Sequence, residues 1–275
     1  MNNIMNVSSN NLFDLAYECI SEKIPDEKIA LVNMLYRRIN NDELKVNSAT
    51  TEMKIITPGR PEKPLLVAPS EVPRRGFDSQ ISRVRLVHAI THIEFNAINL
   101  ALDAVYRFRG MPNQYYSDWM QVAAEEAKHF SLLEQYLKNN DSYYGEYAAH
   151  NGLWEMAIKT DHDVMIRMAL VPRVLEARGL DVTPGMIGRL RIAKDDALVA
   201  ILEIIHTEEI GHVRIGSSWF NYVCEQRGLD PETSFSDILD EYMEDSSFGP
   251  FDLESREKAG FTKREMHDLM LRASE

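Results

Sequence analysis

Two short stretches of the chain share a pattern of acids and one histidine. Residues 125–130 are Glu-Glu-Ala-Lys-His-Phe, and residues 208–213 are Glu-Glu-Ile-Gly-His-Val. Each lies in a run whose apolar residues recur with the period of an α-helix. Because positions i and i+3 share a helix face, Glu126-x-x-His129 and Glu209-x-x-His212 each place an acid and an imidazole where the apolar stripe points. A carboxylate held in a core without a partner is costly, so each pair predicts a bound cation.

The same spacing supplies two more candidate ligands. Glu94 lies 32 residues before Glu126, in a helical apolar run, and Glu176 lies 33 residues before Glu209. One Glu from each of two helices, with Glu-x-x-His from each of two more, is the ligand set of a carboxylate-bridged two-metal centre in a helical bundle. Two divalent ions would cancel four carboxylate charges while both imidazoles stay neutral. The predicted metal ligands, which are also the predicted catalytic residues, are Glu94, Glu126, His129, Glu176, Glu209 and His212.

Each assignment has a plainer alternative. A single Glu-x-x-His in a helix is commonly a surface coincidence or a hydrogen-bonded core histidine, but two matching copies argue against coincidence. Glu176 has the alternative of a surface or capping acid near a helix end at Gly179. His88 and His92, four residues apart, have metal chelation as an alternative to hydrogen bonding. Three residues are interpreted as outer partners that orient the ligands, namely His92, Arg173 and His206.

Breaks in the helical pattern predict the elements that carry these residues. Long helices are predicted at about 79–109, 114–138 and 195–226, and a periodic stretch at 153–178 predicts one helix or two with a break near Thr160-Asp161. The breaker cluster at 110–113 begins at position 110, the midpoint of Glu94 and Glu126, so an antiparallel hairpin that turns there places these acids at one height. The polar, aromatic stretch 139–152 is interpreted as the start of a longer crossover between the two halves.

Proline and glycine predict irregularity around Glu176. Pro172 should bend its helix and free a carbonyl one turn from that acid. The helix is expected to end at Gly179, and Thr183 with the following proline predicts the start of a short helix that reaches Ile192. This segment would have to run back along the bundle for Glu176 to meet Glu209.

The flanks predict additional pieces outside the bundle. Residues 12–42 carry two short helical patterns broken at 24–26, and residues 57–76 contain five prolines, which predict an extended segment on the surface of the bundle. After Gly228 the chain is predicted to be acidic and irregular, with an amphipathic piece at about 262–271 that packs peripherally or covers one end of the bundle. The resulting division is 1–76 for the N-terminal helices and Pro-rich segment, 77–228 for the bundle and 229–275 for the C-terminal segment.

Composition narrows the classes of protein. The 275 residues are 44% hydrophobic, which is enough for a proper core, and the net charge of −13 argues against a nucleic-acid or anionic-membrane surface. The two cysteines, Cys19 and Cys224, form no CxxC or disulfide framework, as expected in a reducing cytosol. The Asn-rich start, Met1–Asn11, has no basic or long apolar run, and no later run approaches the ~18 apolar residues of a membrane span. A cytoplasmic location is therefore expected.

With these ligands in place, the chain resembles the ferritin-like superfamily and, more closely, the bacterial family called domain of unknown function 455. The resemblance covers most of the chain from about Pro58. It rests on the stretches 91–94, 125–130, 149–155, 168–184 and 209–213. A more distant resemblance to ferritin-like tRNA hydroxylases and rubrerythrins implies a di-iron site that meets dioxygen or peroxide.

These inferences predict an all-α protein, a ferritin-like antiparallel four-helix bundle with additional N-terminal and C-terminal helices. The expected function is a di-iron oxidase or oxygenase that uses dioxygen to oxidise a small organic substrate, with an electron donor and a second copy of the chain as further expected partners. Mixed carboxylate and imidazole ligation suits iron or manganese, and two iron ions are expected. The alternatives are iron handling, as a ferroxidase, store or peroxide scavenger, and a non-catalytic helical scaffold.

Overall fold

The computed structural model of the chain describes residues 10–46, 53–244 and 248–274, so most of the Asn-rich start predicted at Met1–Asn11 lies outside the described residues. Within these ranges the chain is helical and forms no β-strand, which confirms the all-α prediction. The helices are α1 Leu12–Ser21, α2 Pro25–Asn40, α3 Gln80–Arg107, α4 Asn113–Asn139, α5 Gly152–Lys159, α6 Val164–Leu170, α7 Ala177–Ile192, α8 Asp196–Gln226, α9 Pro231–Tyr242, α10 Leu253–Lys258 and α11 Lys263–Arg272. None of the helices in the described ranges is long and apolar enough to cross a membrane.

The chain divides into two compact units, Met1–Trp154 and Glu155–Glu275. The boundary follows the polar, aromatic stretch 139–152 that the sequence predicts as a crossover. It falls inside the range 77–228 predicted for the bundle, and the four-helix bundle and the three-part division stay predictions.

Two long antiparallel helices, α3 and α4, form the centre of the first unit, with α1 packed on α3 and α2 on α4. Their connection contains Gly110 at φ +81°, a conformation that glycine adopts without a Cβ clash. The Tyr116 hydroxyl donates to the Phe108 carbonyl at 3.1 Å, which ties the start of α4 to the end of α3. Ligand atoms of Glu94 and Glu126 lie within 4.8 Å of each other, so the hairpin has the register that the midpoint argument predicts.

The buried Lys28 joins three helices of the first unit. Its Nζ donates to the Cys19 and Ile20 carbonyls near the end of α1, at 2.8 and 3.0 Å, and to Asn99 Oδ1 of α3 at 2.6 Å. Carbonyls in the last turn of a helix have no partner within the helix, so this ammonium group satisfies two of them. The two short helices predicted at 12–42 are confirmed, and they belong to the first unit.

The Pro-rich stretch 57–76 is extended apart from one 3₁₀ turn at Pro69–Glu71, as predicted. It packs on the first unit through backbone contacts. The Gly59 amide donates to the Ile20 carbonyl at 2.7 Å, and a Cβ on Gly59 would lie 2.2 Å from the Ser21 carbonyl oxygen. Just before the stretch, the Trp154 indole donates to the Ile56 carbonyl at 2.9 Å.

The second unit is built on α8. Helix α6 continues into a π-helical segment, Val171–Glu176, and then into α7, and all three pack against α8. Pro172 lies in the π-helical segment because it lacks the amide that an α-helix needs, which confirms the predicted irregularity. Helix α9 adds its Phe235 ring, 6.0 Å from that of Phe220 on α8.

The predicted helix end at Gly179 and new start at Thr183 are wrong. Helix α7 runs unbroken from Ala177 to Ile192 with Pro184 inside it. The Thr183 hydroxyl donates back to the Gly179 carbonyl at 2.8 Å, so Thr183 supports a helical turn and does not cap a new helix.

The irregular structure predicted directly after Gly228 is also corrected. Asp230 caps α9, with its Oδ1 accepting from the Thr233 amide at 2.8 Å, and Pro231 occupies the first helical position. This Asp-Pro pair is a strong helix-start signal that the acidic composition obscured. The amphipathic piece predicted at 262–271 is confirmed as α11.

Candidate metal centre

Three of the predicted ligands meet inside the first unit. Glu94 of α3 faces Glu126 and His129 of α4, and one potential ligand atom from each lies within 4.8 Å of the others. His129 Nδ1 is 3.3 Å from Glu94 Oε2 and 3.4 Å from Glu126 Oε2. Glu126 and His129 are fully buried and Glu94 is 4% exposed. The hairpin between α3 and α4 therefore delivers two carboxylates and an imidazole to one point in the core.

When no metal is bound, the raised pKa values of Glu94 and His129 keep protons on both groups. Burial, and next the charge of Glu126, raise the pKa of Glu94 to about 8. Burial alone would lower the pKa of His129, but hydrogen bonds to Glu126 and Glu94 raise it to about 11. Two carboxylates this close repel each other, so shared protons or a cation must stabilise them. A divalent ion bound here would displace those protons.

The second unit carries the matching pair. His212 Nδ1 lies 3.5 Å from Glu209 Oε1 on α8, where His212 is fully buried and the Glu209 side chain is 13% exposed. Glu176 is half-buried at the end of the π-helical segment, which packs against α8. π-Helical turns are rare and occur frequently at functional sites.

The predicted outer partner His92 binds the loop that follows α4. Its Nδ1 lies 2.9 Å from the Tyr144 hydroxyl, and its Nε2 lies 3.2 Å from the His150 carbonyl. Asn96 Nδ2 on the same helix also lies 3.0 Å from Nε2, so contacts from both α3 and the loop hold the His92 ring. His88 also binds this loop, because its Nε2 accepts a hydrogen bond from the Gly145 amide at 2.9 Å. Both histidines thus hold the crossover loop against α3.

The other two predicted partners lie in the second unit. Arg173 is buried and donates from Nη2 to Glu265 Oε1 of α11 at 2.6 Å, so its ion pair is with Glu265 and not with Glu176. Its guanidinium carbon lies 4.1 Å from the centre of the Phe235 ring. His206 Nε2 lies 3.3 Å from the Ser255 hydroxyl of α10.

Tyr144 is a neighbour of the first-unit cluster that the sequence did not single out. Its ring centre lies 5.1 Å from that of Phe130 and 5.6 Å from that of Phe95. Phe130 follows His129 in the chain and Phe95 follows Glu94, so the three rings lie at the height of the ligands along α3 and α4. The sequence showed an aromatic crossover at 139–152, but no spacing rule distinguishes Tyr144 from Tyr143.

Comparison with known proteins places the chain in a family without an assigned activity. The family model described as "Protein of unknown function (DUF455)" matches residues 21–267. The chain belongs to this family. An uncharacterised protein of Haemophilus influenzae is 44% identical over 253 residues, which are 88% of this chain and 88% of that protein. No solved structure matches the chain. The predicted membership of the DUF455 family is confirmed, and the wider ferritin-like relation stays a prediction.

Proposed function

We propose that this DUF455 protein is a di-iron carboxylate oxidase or oxygenase that oxidises a small organic substrate with dioxygen. The observation that carries the proposal is the buried cluster of Glu94, Glu126 and His129 in the first unit. A core with two carboxylates 3.3 and 3.4 Å from one imidazole nitrogen needs a cation or bound protons. The sequence repeats the acid and imidazole pair as Glu209 and His212, which supports a second ion.

The donor set fits iron. Carboxylate oxygens and neutral imidazoles suit iron and manganese, and two divalent ions balance the four acids of the proposed set. Within that set, Glu94, Glu126 and His129 of the first unit and Glu176, Glu209 and His212 of the second would hold the metal. Bound iron would supply the one-electron chemistry that dioxygen reduction needs.

The chain's own groups would do the rest of the work. Glu94 and His129 hold protons in the metal-free cluster, because their pKa values are raised to about 8 and about 11. The ligands themselves are buried, and the neighbouring Phe95 and Phe130 rings pack with Tyr144 in the same core. A dry, carboxylate-rich setting is what confines an oxidant to a substrate and limits side reactions with solvent.

The test is metal content and oxygen consumption in one set of proteins. The chain is purified without added metal, analysed for metals, and then loaded anaerobically with ferrous iron before it is mixed with dioxygen. We expect about two irons per chain and rapid oxygen uptake for the wild type. Glu126→Gln removes one ligand charge and should lose metal and uptake. Glu125→Gln is the matched control, because the half-buried Glu125 lies on the same helix and accepts from the exposed Gln121.

The outcomes separate the proposal from its alternatives. Two irons with oxygen uptake, but with no organic compound that accelerates it, would favour ferroxidation or peroxide scavenging. Zinc or no metal in the wild type would favour the alternative of a non-catalytic helical scaffold. Full metal content and full activity in Glu126→Gln would contradict the ligand assignment itself.

A further inference from the structure

The second unit contains a cavity of about 200 Å³ that the proposed metal chemistry does not use. Part of its wall comes from the π-helical segment and α7, and the rest from the chain around Phe248 and Phe251 and from α10 and α11. The volume is that of roughly seven liquid waters, which suits a ligand with a single ring. The cavity is therefore small enough to select its ligand by shape and charge.

Most of the charged residues that line the cavity are cationic. Arg173, Arg178 and Arg256 line it together with one acid, Asp181. Asp181 is already engaged, because it accepts from Arg256 Nε at 2.9 Å and Nη2 at 2.7 Å, and from the Asp252 amide at 3.0 Å. The charge of Arg173 is likewise balanced by Glu265. The cavity wall thus has an excess of positive charge.

Three guanidinium groups of the lining keep unused N–H donors, and those of Arg173 are its buried Nε and Nη1. Arg178 is exposed and forms no ion pair within the described part of the chain. Arg256 is buried, its guanidinium carbon lies 5.0 Å from the centre of the Phe251 ring, and its Nη1 forms no hydrogen bond with the described residues. Because Asp181 and Phe251 hold Arg256 in place, its free donor is preorganised for a planar anion.

The remaining side chains that line the cavity are apolar. They are Met243, Phe248, Phe251 and Leu269, with Val174 and Leu175 of the π-helical segment. A cavity that pairs an apolar wall with a few fixed polar groups is the usual form of a small-molecule site.

We propose that this cavity binds a small organic carboxylate, with its carboxylate group on Arg178 and Arg256 Nη1 and its apolar body against Phe248 and Leu269. The proposal stands independently of the metal centre, because each residue that it uses is defined by the second unit alone. Val174 and Leu175 directly precede Glu176, so a bound carboxylate contacts the segment that carries this candidate metal ligand.

The experiment is a calorimetric titration of the full-length chain with benzoate, and with benzamide as the neutral molecule of the same shape. We expect saturable benzoate binding at millimolar concentration or tighter, in line with the efficiency of very small ligands. Benzamide should bind at least about tenfold more weakly, because charge-assisted hydrogen bonds are the stronger ones. Arg178→Gln should weaken benzoate binding by a similar factor, and Arg74→Gln, which removes an exposed arginine of the first unit, should not.

A second variant tests the location without removing a charge. Met243→Trp enlarges a half-buried side chain on the cavity wall and should reduce benzoate binding while the circular dichroism spectrum stays unchanged. The proposal is overturned by any of three results: no saturable benzoate binding, equal binding of benzamide, or benzoate binding that neither variant weakens.

Discussion

Glu94, Glu126 and His129 can share a buried point without a metal because Glu94 and His129 hold protons. At pH 7 the raised pKa values leave Glu94 neutral and His129 protonated. A metal ion needs the carboxylate and the neutral imidazole, so binding must release protons. The sign follows directly. Apparent metal affinity should rise with pH, first as the pH approaches the Glu94 pKa of about 8 and further toward the His129 pKa of about 11.

The number of protons released on metal binding tests whether Glu94 is protonated in the metal-free protein. Manganese(II) binding at pH 7, titrated in buffers of different ionisation enthalpy, should release about two protons per first-unit site. Glu94→Gln removes one of these protons and should lower the release by about one. Equal release from both proteins would show that Glu94 is ionised before the metal binds, contrary to the effect of its burial.

His88 gives a second prediction, on stability against pH. Burial lowers its pKa to about 4, and only a neutral ring can accept from the Gly145 amide. Because the folded pKa lies below the unfolded value of ~6.5, the unfolded chain binds more protons in between. Stability should therefore fall as the pH drops from about 6.5 to 4. The fall in Tm from pH 7 to pH 5 should be smaller in His88→Gln, whereas His267→Gln at an exposed site should match the wild type.

The residue scale also shows what spacing can and cannot predict. Glu94, Glu126 and His129 meet because each stands on the core face of its helix, and helical periodicity is a local property that sequence shows. Tyr144 reaches Phe95 and Phe130 through a loop whose path depends on tertiary contacts with His88 and His92. Such contacts leave no periodic signal.

At the scale of elements, the close packing of the π-helical segment on α8 depends on one glycine. A Cβ on Gly216 would lie 2.3 Å from Pro172 Cγ and 2.4 Å from its Cβ. Proline forces the irregular turn, and glycine leaves the space in which that turn packs. The Glu176 end of the segment is thereby held on α8.

This packing predicts opposite effects for two similar substitutions. Gly216→Ala should destabilise the chain by about 1–3 kcal/mol through overpacking. Gly188→Ala, on the exposed face of α7 with no atom within 4 Å of the new Cβ, should stabilise it by about 0.5–1 kcal/mol through helix propensity. Urea unfolding midpoints measure both. A neutral Gly216→Ala would mean that Pro172 moves away without cost.

Element boundaries were predictable where the breaker was strong on its own. The turn at 110–113 and the break at Pro25 are confirmed. The wrong end at Gly179 has a physical cause, because α7 follows the π-helical segment without a break and packing on α8 outweighs a weak local stop signal. The start of α9 was missed for a different reason. Asp230-Pro231 is a good local helix-start signal, but the acidic composition of the stretch after Gly228 favoured an irregular structure in the prediction.

At the scale of the whole molecule, composition and periodicity were enough for the all-α class, and the crossover at 139–152 located the region where the two units divide. The boundary itself, at 154 and 155, follows from contact density, which no local pattern encodes. It lies inside α5, Gly152–Lys159, where helical periodicity runs on without interruption. The four-helix arrangement stays a prediction for the same reason.

The whole chain should be more stable with metal than without it. A ligand that binds only the folded state stabilises it by about 3–4 kcal/mol when present at 100 to 1,000 times its Kd. For a chain of this size that corresponds to a Tm change on the order of 5–10 °C. Chelation should lower the Tm of the wild type by this amount and re-addition of metal should restore it, whereas Glu126→Gln should respond weakly to either. A wild-type Tm that chelation leaves unchanged would remove the energetic case for a metal and favour the scaffold, in which the same acids keep their protons.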